Sequence, residues 1–163
     1  MIPELYTLDA LCQLVTQNPD AWRPMVFTCG CFDLIHAGHV RYLRSAKLLG
    51  RSLVVGLNTD ASVRALKPQK LGNLTRPITP EMQRAEVIAG LKPVDAVVMF
   101  AELTATSVIQ ALQPDIYAKG GDYRVETLPE APAVLAYGGK IELIAIELPT
   151  STTGIVKKIA EAI

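Results

Sequence analysis

The sequence predicts an α/β fold: a single, doubly wound parallel sheet of five strands, with an extra helix at the N-terminus. Short apolar runs typical of buried strands alternate along the 163 residues with stretches of helical spacing. Because parallel strands are joined by right-handed crossovers, the intervening helices are expected to cover both faces of the sheet. Half of the residues are apolar, which fits a folded domain with a sizeable core.

The individual elements follow from local signals. The predicted strands are short apolar runs: one through Val26 and Phe27 that ends at Gly30, then 52–57, 95–100, 115–118 and 140–146. The predicted helices show apolar residues at helical spacing or a capping signal, at 7–17, 40–49, 61–66, 80–91, 104–112, 130–137 and 151–162. We expect Thr7, Asp60 and Thr79 to cap the helices that follow them, and Met82 to face the core. The chain then divides into a helical N-terminal extension, 1–24, that packs on the outside, and one domain, 25–163.

Charge and cysteine content argue against several classes of function. Sixteen Lys and Arg residues balance sixteen Asp and Glu residues, so we expect no nucleic-acid partner and no attraction to a membrane surface. No apolar run is long enough to cross a bilayer, and the first five residues lack the features of a signal peptide. The three cysteines contain no Cys-x-x-Cys pair, which fits a reducing compartment. We therefore expect a cytoplasmic protein.

The segment His36-Ala37-Gly38-His39 stands where the first strand turns into a helix. Free backbone N–H groups and the positive end of the helix dipole meet at such a junction, which makes it a site for anions. Two imidazoles there can donate hydrogen bonds to phosphate oxygens, and Gly38 lets the backbone come close to a phosphate. The pattern predicts a phosphate site, with two ordinary histidines at a helix start as the plainer interpretation.

A zinc site is a third interpretation of the same segment, since Cys29, Cys31, His36 and His39 are four possible ligands. Zinc motifs usually separate their cysteines by about two to four residues, whereas a single residue separates Cys29 from Cys31. The strand end would also have to curl tightly for the four side chains to converge. The spacing therefore favours phosphate, and we expect no resident metal.

Three further segments place polar residues at the ends of predicted elements. Lys119-Gly120-Gly121-Asp122-Tyr123 follows the fourth strand, and Thr150-Ser151-Thr152-Thr153 opens the last helix with more hydroxyls than a cap requires. The segment 67–78 contains three basic residues with Gly and Pro, which is typical of a loop able to close over a ligand. A simple turn and a solvated connector are the plainer interpretations. Because ligands in such sheets bind beyond the carboxyl ends of the strands, we expect these segments to meet.

The stretch Gly30-Cys31-Phe32-Asp33-Leu34-Ile35-His36-Ala37-Gly38-His39 resembles the signature of the nucleotidyltransferases marked by His-x-Gly-His. Over about 25–160 the chain is further similar to the heptose-1-phosphate adenylyltransferases, the nucleotidyltransferase part of ADP-heptose synthases. The similar blocks occur in the same order, at 29–43, 55–63, 76–78, 83–87, 119–123 and 151–153. The resemblance implies a Rossmann-like nucleotidyltransferase fold at 25–163. It also implies transfer of AMP from ATP to D-glycero-D-manno-heptose 1-phosphate, for lipopolysaccharide or related glycan precursors.

The resemblance assigns roles to particular residues. His36, His39 and Lys119 are expected to be catalytic, and Lys67, Arg76 and Arg84 are expected to bind the anionic sugar phosphate. The expected nucleotide-binding residues are Gly30, Cys31, Phe32, His36, Gly38, His39, Lys119, Gly120, Asp122, Ser151, Thr152 and Thr153. Mg²⁺ is expected to arrive with ATP, bound mainly by phosphate and water. Both substrates are small molecules, and a homodimer is a fair expectation from the frequency of such assemblies.

Two alternatives stay open from the sequence. Relatives that make CDP-alcohols carry an arginine shortly before the Ser-Thr-Thr block, and 146–150 contains none. This difference argues against a glycerol-3-phosphate cytidylyltransferase but leaves open another phosphate-ester nucleotidyltransferase. The second alternative is a non-catalytic nucleotide-binding protein on the same fold. Such a protein would have no chemical reason to keep both histidines, Lys119 and the hydroxyl block together.

Overall fold

The computed structural model describes residues 2, 4–67, 74–145, 148 and 150–162. Its strands are β1 (Leu5–Tyr6), β2 (Met25–Gly30), β3 (Ser52–Asn58), β4 (Ala96–Phe100), β5 (Ile116–Gly120) and β6 (Lys140–Ile144). They form one sheet in the order β1-β4-β3-β2-β5-β6, and every neighbouring pair is parallel. The predicted α/β class with a parallel sheet is confirmed.

The predicted number of strands is wrong by one. The additional strand, β1, pairs with β4 through Leu5 opposite Val97 and Tyr6 opposite Val98. A two-residue strand shows neither an apolar run nor an alternating pattern, so tertiary pairing decides its position.

Helices cover both faces of the sheet, as a doubly wound fold requires. They are α1 (Leu8–Gln17), α2 (Pro19–Trp22), α3 (Ala37–Lys47), α4 (Asp60–Leu66), α5 (Glu81–Ala89), α6 (Thr106–Leu112), α7 (Ala131–Ala136) and α8 (Thr152–Glu161). One core cluster joins the sheet to α1, α6 and α7, and the other joins it to α3 and α5. Among the described residues, none of the helices combines the length and apolar character that crossing a membrane would need.

The N-terminal helix α1 packs against the core of the domain. Thr7 caps it as predicted, since its hydroxyl accepts the N–H of Ala10 at 3.2 Å. Leu11 is fully buried and Val15 is 5% exposed, and both belong to the first core cluster. The apolar face predicted for this helix, which includes Leu11 and Val15, therefore packs against the core. The division of the chain at residue 24 stays a prediction.

Two capping residues and the orientation of one side chain differ from the prediction. Thr59, and not Asp60, caps α4, because its hydroxyl accepts the N–H of Ser62 at 3.4 Å. Helix α5 begins at Glu81 with Pro80 at the capping position and without a side-chain cap. Met82 lies on the outer side of α5 and is 50% exposed. The two capping errors each concern a choice between adjacent residues.

Strand β2 marks the point at which the winding of the sheet reverses. The chain continues from β2 to β3 and β4 on one side, and later adds β5 and β6 on the other side. Val26 lies opposite Ile116, and Phe27 lies opposite Tyr117, so the carboxyl ends of β2 and β5 are neighbours. Open α/β sheets bind their ligands at this kind of reversal.

Candidate active site

A cavity of about 610 Å³ opens beyond the carboxyl ends of β2 and β5. Its lining includes these residues selected from the sequence: Gly30, Cys31, Phe32, His36, Gly38, His39, Lys67, Arg76, Lys119, Gly120, Asp122, Ser151, Thr152 and Thr153. Arg84 is the one selected residue that does not line it. The structure thus brings together segments that are far apart in the sequence.

The two histidines lie at the start of α3, directly after the turn that follows β2. His36 occupies the capping position with extended backbone, and the helix begins at Ala37, so that His39 lies in the first turn. The ring centroids of His36 and His39 are 3.9 Å apart with an angle of 31° between the planes. The backbone N–H of His36 donates to Nδ1 of His39 at 3.4 Å. The two imidazole rings therefore lie in direct contact, tilted relative to one another.

Both imidazoles are held in the neutral form at physiological pH. Burial lowers the pKa of His36. Burial, with a smaller contribution from the adjacent His36, lowers the pKa of His39 to about 4. Because Nδ1 of His39 accepts a hydrogen bond, the single proton of the neutral ring lies on Nε2. His39 can therefore donate a hydrogen bond from Nε2 to an anion without carrying a charge itself.

Gly38 makes room for the His36 ring. A Cβ atom on Gly38 would lie 3.0 Å from both Cε1 and Nδ1 of His36, which is closer than ordinary contact. Nδ1 of His36 is itself buried, and the side chains of His36 and His39 each face the other residue's backbone N–H in a reciprocal capping arrangement at the start of α3. The expected role of Gly38, close approach of a phosphate, thus adds to a second role in seating the imidazole.

Phe32 shapes the turn that precedes the histidines. Its backbone has a φ of 43°, a left-handed conformation that is unusual for a bulky side chain. The Phe32 ring lies 5.5 Å from the His39 ring, centroid to centroid, and it covers Gly30, where an added Cβ would meet the ring at 3.2 Å. The strained turn therefore places an aromatic wall against His39. No local sequence signal predicts this conformation.

Tyr42 fastens α3 to both strands at the reversal point. Its hydroxyl donates to the carbonyl oxygen of Ala118 in β5 at 3.0 Å, and it lies 2.7 Å from the hydroxyl of Thr28 in β2. Burial raises the pKa of Tyr42, so the hydroxyl stays protonated. The start of α3, with its histidines, is thereby held at a fixed position relative to β2 and β5. Sequence reasoning missed Tyr42, because its partners come from two other elements.

Lys119 reaches the cavity from the end of β5. Its ammonium group donates to the carbonyl oxygen and to Sγ of Cys29, each at 3.3 Å. It also lies 5.7 Å from the centre of the Tyr117 ring and 5.2 Å from that of Tyr123. Burial acts to lower the pKa of Lys119, but Cys29 and Glu130 act to raise it, and the pKa lies above its usual value. Lys119 therefore provides a full positive charge at the cavity.

The N-terminus of α8 forms another part of the cavity wall. The Ser151 hydroxyl accepts the N–H of Gly154 at 3.1 Å and thus caps the helix. The hydroxyl of Thr152 donates to the carbonyl oxygen of Leu34 at 3.3 Å, which ties α8 to the turn after β2. Thr153 also lines the cavity. The Ser151 hydroxyl therefore caps α8, and the Thr152 hydroxyl connects α8 to the turn after β2. Both residues line the cavity.

Asp33 anchors the segment 74–80, which includes Arg76, to the site. Its carboxylate accepts the N–H of Ile78 at 2.9 Å, the N–H of Thr79 at 3.0 Å and Nε of Arg76 at 3.2 Å. The Asp33 side chain is fully buried, and that of Arg76 is 9% exposed. Sequence reasoning left Asp33 without a role, although it lies inside the motif and holds this segment in place. Lys67 ends α4 at the cavity, while 68–73 of the predicted loop lie outside the described residues.

Arg84 does not line the cavity, so the structure does not support its predicted role in binding the sugar phosphate. It is 1% exposed, and its guanidinium donates to the carbonyl oxygens of Thr79 at 2.9 Å and Cys31 at 2.6 Å, and to Asp60 at 2.7 Å. Each of these partners belongs to a different segment beside the site. Arg84 therefore ties the turn after β2 to α4 and α5. Arg84 precedes Ile88 by one helical turn, so both residues lie on the inner face of α5. This spacing was the sequence signal that could have predicted the burial of Arg84.

The four residues considered as zinc ligands are engaged in different contacts. Sγ of Cys29 lies 3.4 Å from the hydroxyl of Tyr117 and 3.3 Å from Nζ of Lys119, whereas the two imidazoles stack on one another. Burial raises the pKa of Cys29 and of Cys31, which favours thiols over the thiolates that zinc requires. Within the described residues, no group of three or more His, Cys, Asp or Glu side chains is placed to hold a metal ion.

Comparison with known proteins places this geometry in a family context. Residues 27–149 match the family model described as cytidylyltransferase-like. The bifunctional protein HldE of Citrifermentans bemidjiense is 46% identical over 156 residues, covering 96% of this chain and 31% of that protein. The bifunctional protein HldE of Magnetococcus marinus is 48% identical over 136 residues, covering 83% of this chain and 27% of that protein. The chain thus spans less than a third of the length of these curated relatives.

A solved structure supports the same relationship. The crystal structure of a lipopolysaccharide core biosynthesis protein from Thermoplasma volcanium superimposes with a TM-score of 0.58 at 29% identity, covering 77% of this chain and 97% of that one. The segment in which CDP-alcohol-producing relatives carry an arginine includes Ile146, Glu147 and Pro149, which lie outside the described residues. The predicted end of the fifth strand at Ile146 lies outside them too, and β6 is described as far as Ile144.

Proposed function

Because the chain belongs to the cytidylyltransferase-like family, we propose that it transfers AMP from ATP to a sugar 1-phosphate. The proposed acceptor is D-glycero-D-manno-heptose 1-phosphate. The products are pyrophosphate and ADP-heptose, and ADP-heptose is the precursor for lipopolysaccharide or related glycans. The observation that carries the proposal is the convergence of two neutral imidazoles, one ammonium group and one capped helix N-terminus on a single cavity. This set of groups suits a triphosphate.

The proposed reaction needs no nucleophile from the protein. An oxygen of the sugar phosphate attacks the α-phosphorus of ATP and forms a new P–O bond. The bond from the α-phosphorus to the bridging oxygen breaks, and its electron pair leaves with pyrophosphate. The phosphate monoester is already an anion, so the protein's contribution is to position the two substrates and to stabilise the charge that builds on the α-phosphate.

The proposed catalytic groups are His36, His39 and Lys119. His39 donates from Nε2, and the His36 ring, which also lines the cavity, would donate to a second phosphate oxygen. Lys119 supplies the charge that the neutral imidazoles lack. The first turn of α8, with Ser151, Thr152 and Thr153, would bind phosphate oxygens through hydroxyl and backbone N–H groups. Gly30, Cys31, Phe32, Gly38, Gly120 and Asp122 complete the proposed nucleotide site.

We treat magnesium as part of the nucleotide substrate. The buried Asp33 carboxylate already accepts hydrogen bonds from Arg76 and from two backbone N–H groups, and so has little capacity left for a metal ion. Mg²⁺ bound to ATP usually keeps several water ligands and is held by phosphate oxygens. This arrangement agrees with a cavity built from donors of hydrogen bonds.

The acceptor is proposed to bind where the cavity is most basic. Arg76 and Lys67 both line the cavity, and Asp33 holds Arg76 in place through Nε, so we propose that the two cations bind the phosphate of the acceptor. Reaction in the cytoplasm and assembly into a homodimer remain predictions that accompany this proposal, as does the absence of a nucleic-acid partner.

The proposal is tested by release of pyrophosphate from the purified chain with magnesium. ATP and CTP are each combined with heptose 1-phosphate and with glycerol 3-phosphate. Release that requires ATP and heptose 1-phosphate supports the proposal, and release with CTP instead contradicts the choice of base while keeping the chemistry. Binding of a nucleotide without turnover of any pair would favour a non-catalytic protein. Lys119→Ala should abolish release, whereas Lys92→Ala, at an exposed lysine, is the matched control.

A further inference from the structure

One wall of the cavity takes no part in the reaction proposed above. Its residues come from the end of β4, from the segment before α6 and from the segment before α7: Phe100, Leu103, Ala105, Leu128, Pro129 and Glu130. Neither 100–105 nor 128–130 contains a lysine or an arginine. Phosphate groups in proteins are held by cations and by free N–H groups, so this wall suits an uncharged part of a substrate.

The carboxylate of Glu130 is the one charged group in this set of six residues. Glu130 is 5% exposed, and a carboxylate buried to this extent needs hydrogen-bond partners. Its Oε1 accepts the backbone N–H of Ala105 at 3.3 Å, which holds the side chain against the start of α6. A carboxylate can accept about four hydrogen bonds, so Glu130 has further capacity for a ligand in the cavity that it lines.

Asn58, the last residue of β3, supplies a second acceptor beside this wall. It lies opposite Phe100 in the sheet, is 4% exposed and lines the cavity. Its Nδ2 donates to the hydroxyl of Ser62 at 2.8 Å, and that hydroxyl donates to the carbonyl oxygen of Glu102 at 2.8 Å. Because these two bonds fix the orientation of the amide, Oδ1 is the atom that Asn58 can offer to a ligand as an acceptor.

The segment between β4 and α6 holds both acceptors in place. The carbonyl oxygen of Glu102 ends the network that begins at Asn58, and the N–H of Ala105, three residues later, binds Glu130. Phe100, at the end of β4, adds a buried apolar surface to the same wall. Fixed acceptors next to apolar side chains suit a sugar, whose hydroxyl groups donate hydrogen bonds and whose C–H groups pack against carbon.

The position of this wall in the sheet favours the sugar of the acceptor over the ribose of the nucleotide. Helix α4 begins directly after Asn58 and Thr59 and ends at Lys67, which is proposed above to bind the phosphate of the acceptor. Strands β3 and β4 lie on one side of β2. Gly120, Asp122 and the first turn of α8, which are proposed for the nucleotide, belong to β5 and to the chain after it, on the other side.

We propose that Glu130 and Asn58 select the acceptor by accepting hydrogen bonds from hydroxyl groups of its sugar. This inference rests on the proposed function, because it takes Lys67 and Arg76 as the site of the acceptor's phosphate. An acceptor without these hydroxyl groups would leave two buried acceptors unpaired in the bound state. Unpaired buried groups are the usual source of strong discrimination between a substrate and its deoxy analogue.

The first test compares two Michaelis constants in Glu130→Gln. The amide oxygen still accepts the Ala105 N–H, so an NH₂ group, which cannot accept a hydroxyl hydrogen, replaces the second carboxylate oxygen. KM for heptose 1-phosphate should rise by about tenfold or more, and KM for ATP should change by less than about twofold. Glu126→Gln, at an exposed carboxylate that does not line the cavity, should change neither. An unchanged KM for heptose 1-phosphate overturns the proposal, and so does an equal rise for ATP, which would assign this wall to the nucleotide.

A double-mutant cycle separates recognition of the sugar from a structural role. Wild type and Glu130→Gln are compared on heptose 1-phosphate and on derivatives that each lack one hydroxyl group. Removal of a hydroxyl that donates to Glu130 should lower kcat/KM by about tenfold or more in the wild type but by less than about threefold in the variant. Equal losses in both proteins for every hydroxyl would indicate a structural role and overturn the proposal. If Glu130→Gln does not fold, Asn58→Ala takes its place in the cycle, with the same two outcomes.

Binding without turnover distinguishes failure of this inference from failure of the proposed function. The α,β-methylene analogue of ATP cannot release pyrophosphate, so calorimetric titration of heptose 1-phosphate into protein saturated with it measures binding of the acceptor alone. Binding that is at least tenfold weaker in Glu130→Gln, in a chain that releases no pyrophosphate from ATP, would leave the sugar site standing and remove the reaction. Turnover of heptose 1-phosphate with equal binding by both proteins would do the reverse, and no binding to the wild type would overturn both.

Discussion

The imidazole rings of His36 and His39 stack with their centroids 3.9 Å apart, while the backbone N–H of His36 donates to Nδ1 of His39. Two positive charges at such a distance would repel one another strongly, and burial removes much of the water that would screen them. The accepting lone pair on Nδ1 further requires that this nitrogen be unprotonated. The free site is therefore a pair of neutral donors, and we expect an incoming triphosphate to raise the pKa of both rings.

The first prediction concerns stability at acidic pH. In the unfolded chain His39 binds a proton near its ordinary pKa of 6.5, whereas in the folded chain it does so only near 4. The unfolded state therefore binds more protons between these values, and the folded state loses stability as the pH falls from about 6.5 to about 4. The thermal unfolding midpoint of His39→Asn should fall less steeply over this interval than that of the wild type. Parallel curves for the two proteins would contradict the assigned protonation.

The second prediction concerns turnover. His39→Ala removes the Nε2 donor at the position where charge is proposed to build, and we expect turnover to fall by about two to four orders of magnitude. The measurement is pyrophosphate release at saturating ATP and acceptor, with circular dichroism to confirm the fold. Unchanged turnover in a folded His39→Ala variant would sink the assignment of this residue.

The third prediction separates two glycines that look alike in the sequence. In Gly38→Ala the new Cβ lies 3.0 Å from the His36 ring, which can rotate away, so turnover should fall by about tenfold or more with little loss of stability. In Gly56→Ala the new Cβ would lie 2.6 Å from Cζ of the buried Phe27 ring, inside the sheet. That variant should lose about 1–3 kcal/mol in the free energy of unfolding, measured with urea. Equal effects of the two changes on stability would contradict this distinction.

Much of the architecture could be predicted because it depends on local pattern. The glycine turn after β2, the histidines at the start of α3 and the hydroxyl block at the start of α8 each carry a signal within a few residues. The rule that ligands bind at the carboxyl ends of parallel strands then brings these segments together, and the cavity includes them all. Local sequence signals and one topological rule are therefore enough to predict where in the fold the candidate site lies.

The remaining features depend on partners that are distant in the sequence. Strand β1 exists because Leu5 and Tyr6 meet the edge of β4, and no two-residue segment encodes that pairing by itself. Arg84 is buried because Asp60 and two carbonyl oxygens surround it, whereas an arginine on a helix is usually solvated. A sequence pattern reports which face of a helix is apolar, but it does not report which charges are paired within the core.

The fourth prediction tests the corrected role of Arg84. Arg84→Leu leaves Asp60 and the carbonyl oxygens of Thr79 and Cys31 without their donor, and breaking a buried pair in this way costs about 3–5 kcal/mol. Because Asp60 is partly exposed, we expect the lower part of that range in urea unfolding. Arg64→Leu, on the exposed side of α4, should change stability by less than about 0.5 kcal/mol. A higher KM for the sugar phosphate at unchanged stability would instead support direct binding by Arg84.

The fifth prediction concerns Ser151, whose hydroxyl caps α8 at the edge of the cavity. An aspartate at the same position also caps a helix and favours its positive end, so Ser151→Asp should keep the thermal unfolding midpoint of the wild type. It places a negative charge beside the proposed phosphate site, however, and the KM for ATP should rise at least tenfold. Ser151→Ala should do the opposite, with a loss of about 1 kcal/mol in stability and a smaller change in KM. Thr7→Asp makes the same exchange at the cap of α1, away from the cavity, and should leave KM unchanged. If Ser151→Asp retained the KM of the wild type, the hydroxyl would serve only as a cap, and the phosphate site would have to lie elsewhere in the cavity.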